Sequence, residues 1–204
     1  MGTETPVSET TLSYETTGDG VTFRMPALTR PLEITGPVAA KLWVSSETSD
    51  ADLFLVLRVF DPAGNEVAFI GSNDPRVPVG LGWLRASHRK LDPRRSLPYR
   101  PWHAHDEEWP LTPGEPVELD LEIWPTSIVV PSGYRIALTV RGSDYEYDGT
   151  DAGLANAPYP MKGVGPFIHA GADDRPAGTF ACRNTLHFGT GKAPYLLLPV
   201  ISQS

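Results

Sequence analysis

The sequence predicts an all-β protein, a β-sandwich of the jelly-roll kind, and three observations carry that expectation. Apolar residues alternate with polar ones in one short run after another, the period-two mark of a half-buried strand. The 19 glycines and 21 prolines are spread along all 204 residues, punctuation too frequent for long helices. Roughly eight to ten such runs with two long connections fit a Greek-key sandwich better than a simple meander.

Taken in order, residues 1 to about 17 show no apolar periodicity and are expected to be a linker or frayed start. The single sandwich domain would then span 18–204. Val21, Phe23 and Met25 alternate, and Leu32-Glu33-Ile34 follows Pro26; these are expected edge strands. Gly36-Pro37 is a break, after which Val38, Ala40, Leu42 and Val44 line one face and Lys41, Trp43 and Ser45 the other. Leu53 to Phe60 is apolar on both faces except for Arg58, which suits a central strand covered on both sides. Asp61-Pro62-Ala63-Gly64-Asn65 is a turn, so Glu66 to Ile70 should return as a hairpin. Gly80 to Ser87 is another strand. The stretch from Arg89 to Pro116 is a long polar loop holding Pro93, Pro98, Pro101, Pro110, Pro113 and Pro116. Loops of that length are usually functional or packed on a partner.

Pro116 to Arg141 carries the strictest alternation. Val117, Leu119, Leu121 and Ile123 oppose Glu118, Asp120 and Glu122; Tyr134, Ile136, Leu138 and Val140 oppose Arg135, Thr139 and Arg141. Trp124-Pro125-Thr126-Ser127 interrupts the first strand, and Pro131-Ser132-Gly133 supplies a turn between the two. The pair is expected to be hairpin-like and central. Residues 142 to 178 look irregular, with Phe167-Ile168-His169 as one short strand. Asn184, Leu186 and Phe188 alternate, and Tyr195 to Ile201 is a terminal apolar strand.

Composition narrows the function classes. A net charge of −8 argues against nucleic acid and anionic membrane surfaces as partners. Residues 1–17 lack the basic-then-apolar pattern of a secretory signal, and no run approaches eighteen apolar residues. Cys182 is the sole cysteine, so no internal disulfide forms. A soluble, cytoplasmic protein without a cofactor is the expectation.

No Gly-x-Ser-x-Gly nucleophile elbow occurs. Ser143-Asp144 and Ser87-His88 put triad residue types side by side, but sequence neighbours cannot supply triad geometry. His103-Ala104-His105-Asp106-Glu107-Glu108 is the best metal candidate, since His103 and His105 on a strand would point the same way, yet it lies in the proline-rich loop. Trp83, Trp102, Trp109, Trp124, Tyr145 and Tyr147 could stack on sugar rings or fill a domain interface. Asp144, Glu146, Asp148 and Asp151 lack calcium-loop spacing and suit a solvated turn.

Several segments in one order resemble the C-terminal domain of X-Pro dipeptidyl-peptidases and cocaine-esterase-like (CocE/NonD) serine hydrolases. They are Pro31 to Pro37, Asp52-Leu53-Phe54 leading to Leu57-Arg58-Val59, Gly82 to Arg89, Leu111 to Glu115, Trp124 to Ser127, Pro131 to Ile136, and His187-Phe188 through Tyr195 to Val200. The likeness runs over residues 20 to 202. It implies a jelly-roll sandwich of galactose-binding-like topology, following an α/β-hydrolase domain that holds the Ser-Asp-His triad. It implies no catalytic residue here. The implied role is an accessory domain, inactive alone, that packs in cis or in trans on an α/β-hydrolase domain and helps wall its substrate groove. The full enzymes cleave esters, amides or X-Pro peptides. Gly82 to Arg89 and the Pro93–Pro110 loop are the expected docking surface, with Trp83, Arg85, His88, Arg89, Trp102 and His103 as its candidate residues. An exposed apolar patch would make self-association of the isolated domain unsurprising. Two other classes stay open from the residues: an independent carbohydrate-binding module, and a metal-dependent enzyme centred on His103 and His105.

Overall fold

The computed structural model describes residues 9–71, 74–148, 162–164, 168–169 and 171–201. The described strands are β1 (Thr10–Glu15), β2 (Val21–Arg24), β3 (Leu32–Ser46), β4 (Asp52–Phe60), β5 (Glu66–Val67) and β6 (Gly80–Arg85). They continue with β7 (Val117–Val130), β8 (Arg135–Arg141), β9 (Arg183–Phe188), β10 (Tyr195–Leu197) and β11 (Val200–Ile201). A 3-10 turn, Ala86–His88, follows β6, and the only described α-helix is the single turn α1 (Ala177–Phe180).

Two antiparallel sheets result. In the first, β3 pairs with β7 along nearly its whole length, and its other edge receives β11, β10 and β9 in succession, with β1 outside β9. In the second, β4 pairs with β8 on one edge and with β6 and β5 on the other, and β2 lies outside β8. Between the sheets the alternating residues meet: Val38, Ala40, Leu42 and Val44 of β3 and Leu119, Leu121 and Ile123 of β7 face Leu53, Leu55, Leu57 and Val59 of β4 and Ile136, Leu138 and Val140 of β8. All are buried. Each such side chain contributes about 1.5–3 kcal/mol relative to exposure. The all-β sandwich and its inward faces agree with the alternation.

Several expectations change. Thr10–Glu15, assigned to a linker, is β1: Tyr14 is buried with its ring in the core, and burial pushes its hydroxyl up to about 12. Residues 1–8 lie outside the described residues. Leu32–Ile34 is no edge strand but the start of β3, and Gly36-Pro37 does not end it. Gly36 pairs with Thr126 and Val38 with Ile123, so Pro37 alone faces Trp124 and Pro125. This is a β-bulge, and it lets two prolines that cannot donate to the ladder sit inside long strands. For the same reason Trp124 to Ser127 does not break β7. The pair around Pro131-Ser132-Gly133 is not a hairpin either: β7 belongs to one sheet and β8 to the other, so that turn carries the chain across the sandwich. Tyr195 to Ile201 is two strands, split at Leu198-Pro199. Phe167 lies outside the described residues, and Ile168 and His169 belong to no strand.

β6 packs closely across β7. A Cβ on Gly82 would stand 2.2 Å from the Glu122 carbonyl oxygen, so only glycine admits that approach. Pinned there, β6 presents Leu81, Trp83 and Arg85 outward, opposite Val56, Phe54 and Asp52 of β4.

Candidate functional site

The outward face of the β4 sheet is not open to water. Phe54, Val56 and Phe60 are buried, as the two-sided apolar pattern of Leu53–Phe60 requires. Arg24 and Arg58 lie over Phe60, and the rest of the cover comes from the irregular stretch after β8, where Tyr145, Val164 and Ile168 pack with Val56, Leu81 and Trp83. Charged groups fasten this cover. Asp52 is 8% exposed, and its carboxylate accepts from Arg85 Nε at 2.8 Å, Arg85 Nη2 at 3.0 Å and Arg175 Nε at 2.8 Å. Arg175 donates its other nitrogens to the carbonyls of His169 and Gly142. Asp144, also buried, accepts from the His169 backbone N–H and lies 3.0 Å from its Nδ1. Further along, Glu66 takes a two-pronged bond from Arg58, 2.7 Å on each arm, and one from the Tyr145 hydroxyl at 2.7 Å. Burial pushes the Glu66 carboxyl up, but Arg58 and Tyr145 outweigh it and hold the group below the usual range.

At the β6 end the cover stops short and leaves a cleft of about 450 Å³. Trp83, Arg85 and His88 line it, as the docking expectation places them together, joined by His105, His169 and Arg175. His169 stacks edge-on against Phe54 at 5.4 Å and tilted against Trp83 at 5.5 Å. His88 and His105 meet Nδ1 to Nδ1 at 3.1 Å, so one ring must donate and the other accept.

The other candidates lie on the long loop. Arg89 binds the carbonyls of Ala86 and Trp109 and lies over the Trp109 ring, tying the loop's two ends together. Trp102 is 42% exposed under Arg95. His103 bridges to Leu91, with Nε2 buried and without a described partner. Burial, then neighbouring His105, lowers its pKa; the Asp120 backbone opposes the shift. The loop is therefore a folded-back structure rather than a free connection: Asp92 N–H donates to the Trp102 carbonyl, Ala104 N–H to Lys90, and buried Leu111 is anchored through its N–H to Ser49.

The strand geometry that would aim His103 and His105 together is missing, because His105 takes φ +51° and the two rings stand 6.1 Å apart. Among the described residues no cluster of three or more His, Cys, Asp or Glu side chains could hold a metal ion. Of the acidic group, Asp144 turns inward to His169, Glu146 and Asp148 are exposed, and Asp151 lies outside the described residues. The aromatic residues split into separate settings. Trp83 and Trp124 meet edge to face at 5.0 Å, Trp102 and Trp109 ride the loop, Tyr145 is buried, and Tyr147 lies under Arg76.

Halves of a hydrolytic triad do appear, on different sheets. Ser45 Oγ and His187 Nε2 are 2.8 Å apart on the outer face of the β3 sheet, but no described carboxylate bonds to that histidine. Asp144 and His169 pair over the β4 sheet, but no described hydroxyl bonds to that histidine. Neither half has a strained nucleophile turn. Sequence reasoning did not single out Arg175 or His169 for this site; Asp52 stood only within a quoted segment.

The sequence matches the family described as the X-Pro dipeptidyl-peptidase C-terminal non-catalytic domain over residues 3–196. Proteins of Mycobacterium bovis and Mycobacterium tuberculosis described as candidate serine esterases are 36% identical over 129 residues. That stretch is 61% of this chain but only 19% of each relative, so the chain spans a small part of their length. A solved structure of a CocE/NonD family hydrolase from Staphylococcus aureus superposes with a TM-score of 0.82 at 26% identity, covering 96% of this chain and 33% of that one. An α-amino acid ester hydrolase structure superposes at 0.57 with 19% identity over 90% of this chain and 26% of that one, a likeness of fold alone.

Proposed function

The chain belongs to the family of X-Pro dipeptidyl-peptidase C-terminal non-catalytic domains, and from that premise we propose that it serves an α/β-hydrolase domain. In this reading it is the accessory sandwich, of jelly-roll and galactose-binding-like topology, in a CocE/NonD-type serine hydrolase whose catalytic serine, histidine and aspartate reside in that other domain. It packs on that domain through the β6 cleft and the folded-back loop and helps wall the substrate groove. The observation that supports this best is the convergence of Trp83, Arg85 and His88 on one open cleft at the edge of an otherwise sealed face. Trp and Arg beside a partly desolvated pocket are the residue types that anchor interfaces.

The test is Trp83→Ala and Arg85→Ala in a full-length hydrolase carrying this domain. Expected are a lowered melting temperature, a raised KM for the acyl substrate, or both. If stability and turnover were unchanged in both variants, the docking role would be wrong.

A further inference from the structure

Resting on that docking reading, we propose that the β6 cleft receives a carboxylate side chain, an Asp or Glu, presented by the hydrolase domain. The cleft carries its donors on its floor. Its floor holds one buried carboxylate, Asp52, for two guanidinium groups, Arg85 and Arg175. Each nitrogen of Arg175 has an acceptor, Asp52 or one of two carbonyls. Arg85 differs. Its Nε and Nη2 are spent on Asp52 and the Asp174 carbonyl, and among the described residues Nη1 has no acceptor.

Arg85 is also held in place, which makes its spare edge a directed donor. Its guanidinium lies 4.5 Å from the Phe180 ring centroid while Asp52 fixes the other edge. A planar fork locked this way loses little further freedom when it takes a carboxylate oxygen. The His88–His105 pair adds one ring N–H, since the ring that accepts at Nδ1 carries its proton on Nε2. Glu108 stands 3.8 Å from His88 Nε2 on that wall. His169 donates Nδ1–H to Asp144, so Nε2 of the neutral ring is an acceptor and adds no donor. The remaining acid of the cleft, Asp174, gives Arg85 its carbonyl and keeps its own carboxylate exposed at the rim.

Size and walls favour an acidic side chain over a bare anion. About 450 Å³ exceeds what one carboxylate fills, and Trp83 and Phe54 supply apolar wall for the methylenes that carry it. The chain covers 33% of the Staphylococcus hydrolase, so most of that relative lies outside the part this sequence resembles.

The probe is N-acetyl-glutamate N-methylamide, titrated into the isotopically labelled chain and compared with the glutamine analogue. Expected are saturable shifts at the Trp83 indole, the Arg85 side-chain N–H and the His88 and His105 rings. The glutamine analogue and the Arg85→Gln variant should each bind about tenfold more weakly or worse, the loss expected for a charge-assisted bond. Equal binding of the two analogues, no effect of Arg85→Gln, or shifts spread over unrelated arginines such as Arg135 and Arg183 would overturn the proposal. Should Arg85→Gln fail to fold, the double variant His88→Gln and His105→Asn decides: it should weaken the glutamate probe severalfold, and unchanged affinity would count against the cleft. The two readings fail separately. Impaired Trp83→Ala hydrolase without glutamate selectivity removes the carboxylate alone; normal Trp83→Ala and Arg85→Ala hydrolase removes docking and the proposed occupant with it.

Discussion

On the outer face of the β3 sheet, Lys41 reaches Glu118 and Asp120, Ser13 meets Thr185, Thr35 meets Ser127, and Arg183 meets Glu15. On the outer face of the β4 sheet, Asp52 sits between Arg85 and Arg175, and Glu66 between Arg58 and Tyr145. The same chemical pairs have different consequences because of what lies above them. The first set joins neighbouring strands of one layer and mostly faces water, where an ion pair contributes about 0–1 kcal/mol. The second set also links neighbouring strands, but Arg175 and Tyr145 tie it to a segment far along the chain that covers it, where removing one partner strands a charge. A covered face is thereby sealed at its centre and open at its rim, and the rim is where the cleft forms.

Asp52→Ala should produce the largest effect. It leaves two guanidinium groups half-buried with no carboxylate, at a cost of about 3 kcal/mol or more. Denaturant unfolding would show it, and amide exchange should rise first in residues 168–169 and 171–175, which Asp52 holds through Arg175. A loss under about 1 kcal/mol would erase the distinction between the two faces.

Tyr145→Phe is milder. It removes the hydroxyl that donates to Glu66 while keeping the ring against Val56 and leaving the Arg58 bonds. One hydrogen bond to a charged acceptor is lost, about 1.5 kcal/mol. Glu66 also carries a pH signature. Its folded pKa is held below the usual carboxylate range, so its contribution is present above the unfolded value of about 4.3 and is lost as pH falls through the folded one. The Tyr145→Phe variant should lose less stability than the parent on acidification below that value.

How much of this was legible in the sequence depends on which partner each residue needed. The inward faces of β3, β4, β7 and β8 could be read from alternation, because a period of two is local. That Phe54 and Val56 would be covered could be read from the same pattern, but what covers them could not. Tyr145, Ile168 and Arg175 come from a glycine- and proline-rich stretch without periodicity. The bulge at Pro37 opposite Trp124 and Pro125 was read as two breaks, because a register shift belongs to a pair of strands and not to either one. The crossing at Pro131–Gly133 was read as a hairpin, since turn chemistry is the same whether the next strand joins its neighbour or the opposite sheet. Of the candidate site, Trp83, Arg85 and His88 lie within one quoted segment, whereas His169 and Arg175 reach the cleft only through folding.

Two histidines extend the comparison to pH. Burial lowers the pKa of His103 under the loop and of His187 on the β3 sheet face. The unfolded chain therefore takes up protons first as pH falls, so their stabilising effect is full above about 6.5 and declines below it. His103→Gln should shrink the stability difference between pH 7.5 and 5.5 by more than His187→Gln does, because His103 is the more deeply placed of the two. Chemical denaturation of each variant at both pH values measures it; the reverse order would mean that the exposed sheet, not the loop, sets the acid response.

Ser45→Ala carries the smallest expected effect and the sharpest functional meaning. Its hydroxyl is in hydrogen-bond contact with His187, the kind of contact a serine nucleophile makes with its base. It lies in a regular strand of the β3 sheet, however, bonded across to a neighbouring strand like Ser13 and Thr35 on the same face. Among the described residues, the carboxylate that hydrogen-bonds a histidine ring, Asp144, lies over the other sheet. Removing the hydroxyl should cost about 1 kcal/mol or less, one neutral bond. Ester turnover by a full-length hydrolase carrying the substitution should be unchanged. A fall of about a hundredfold or more, the scale of losing a nucleophile or its base, would place catalysis on this domain and reverse the assignment of the two faces.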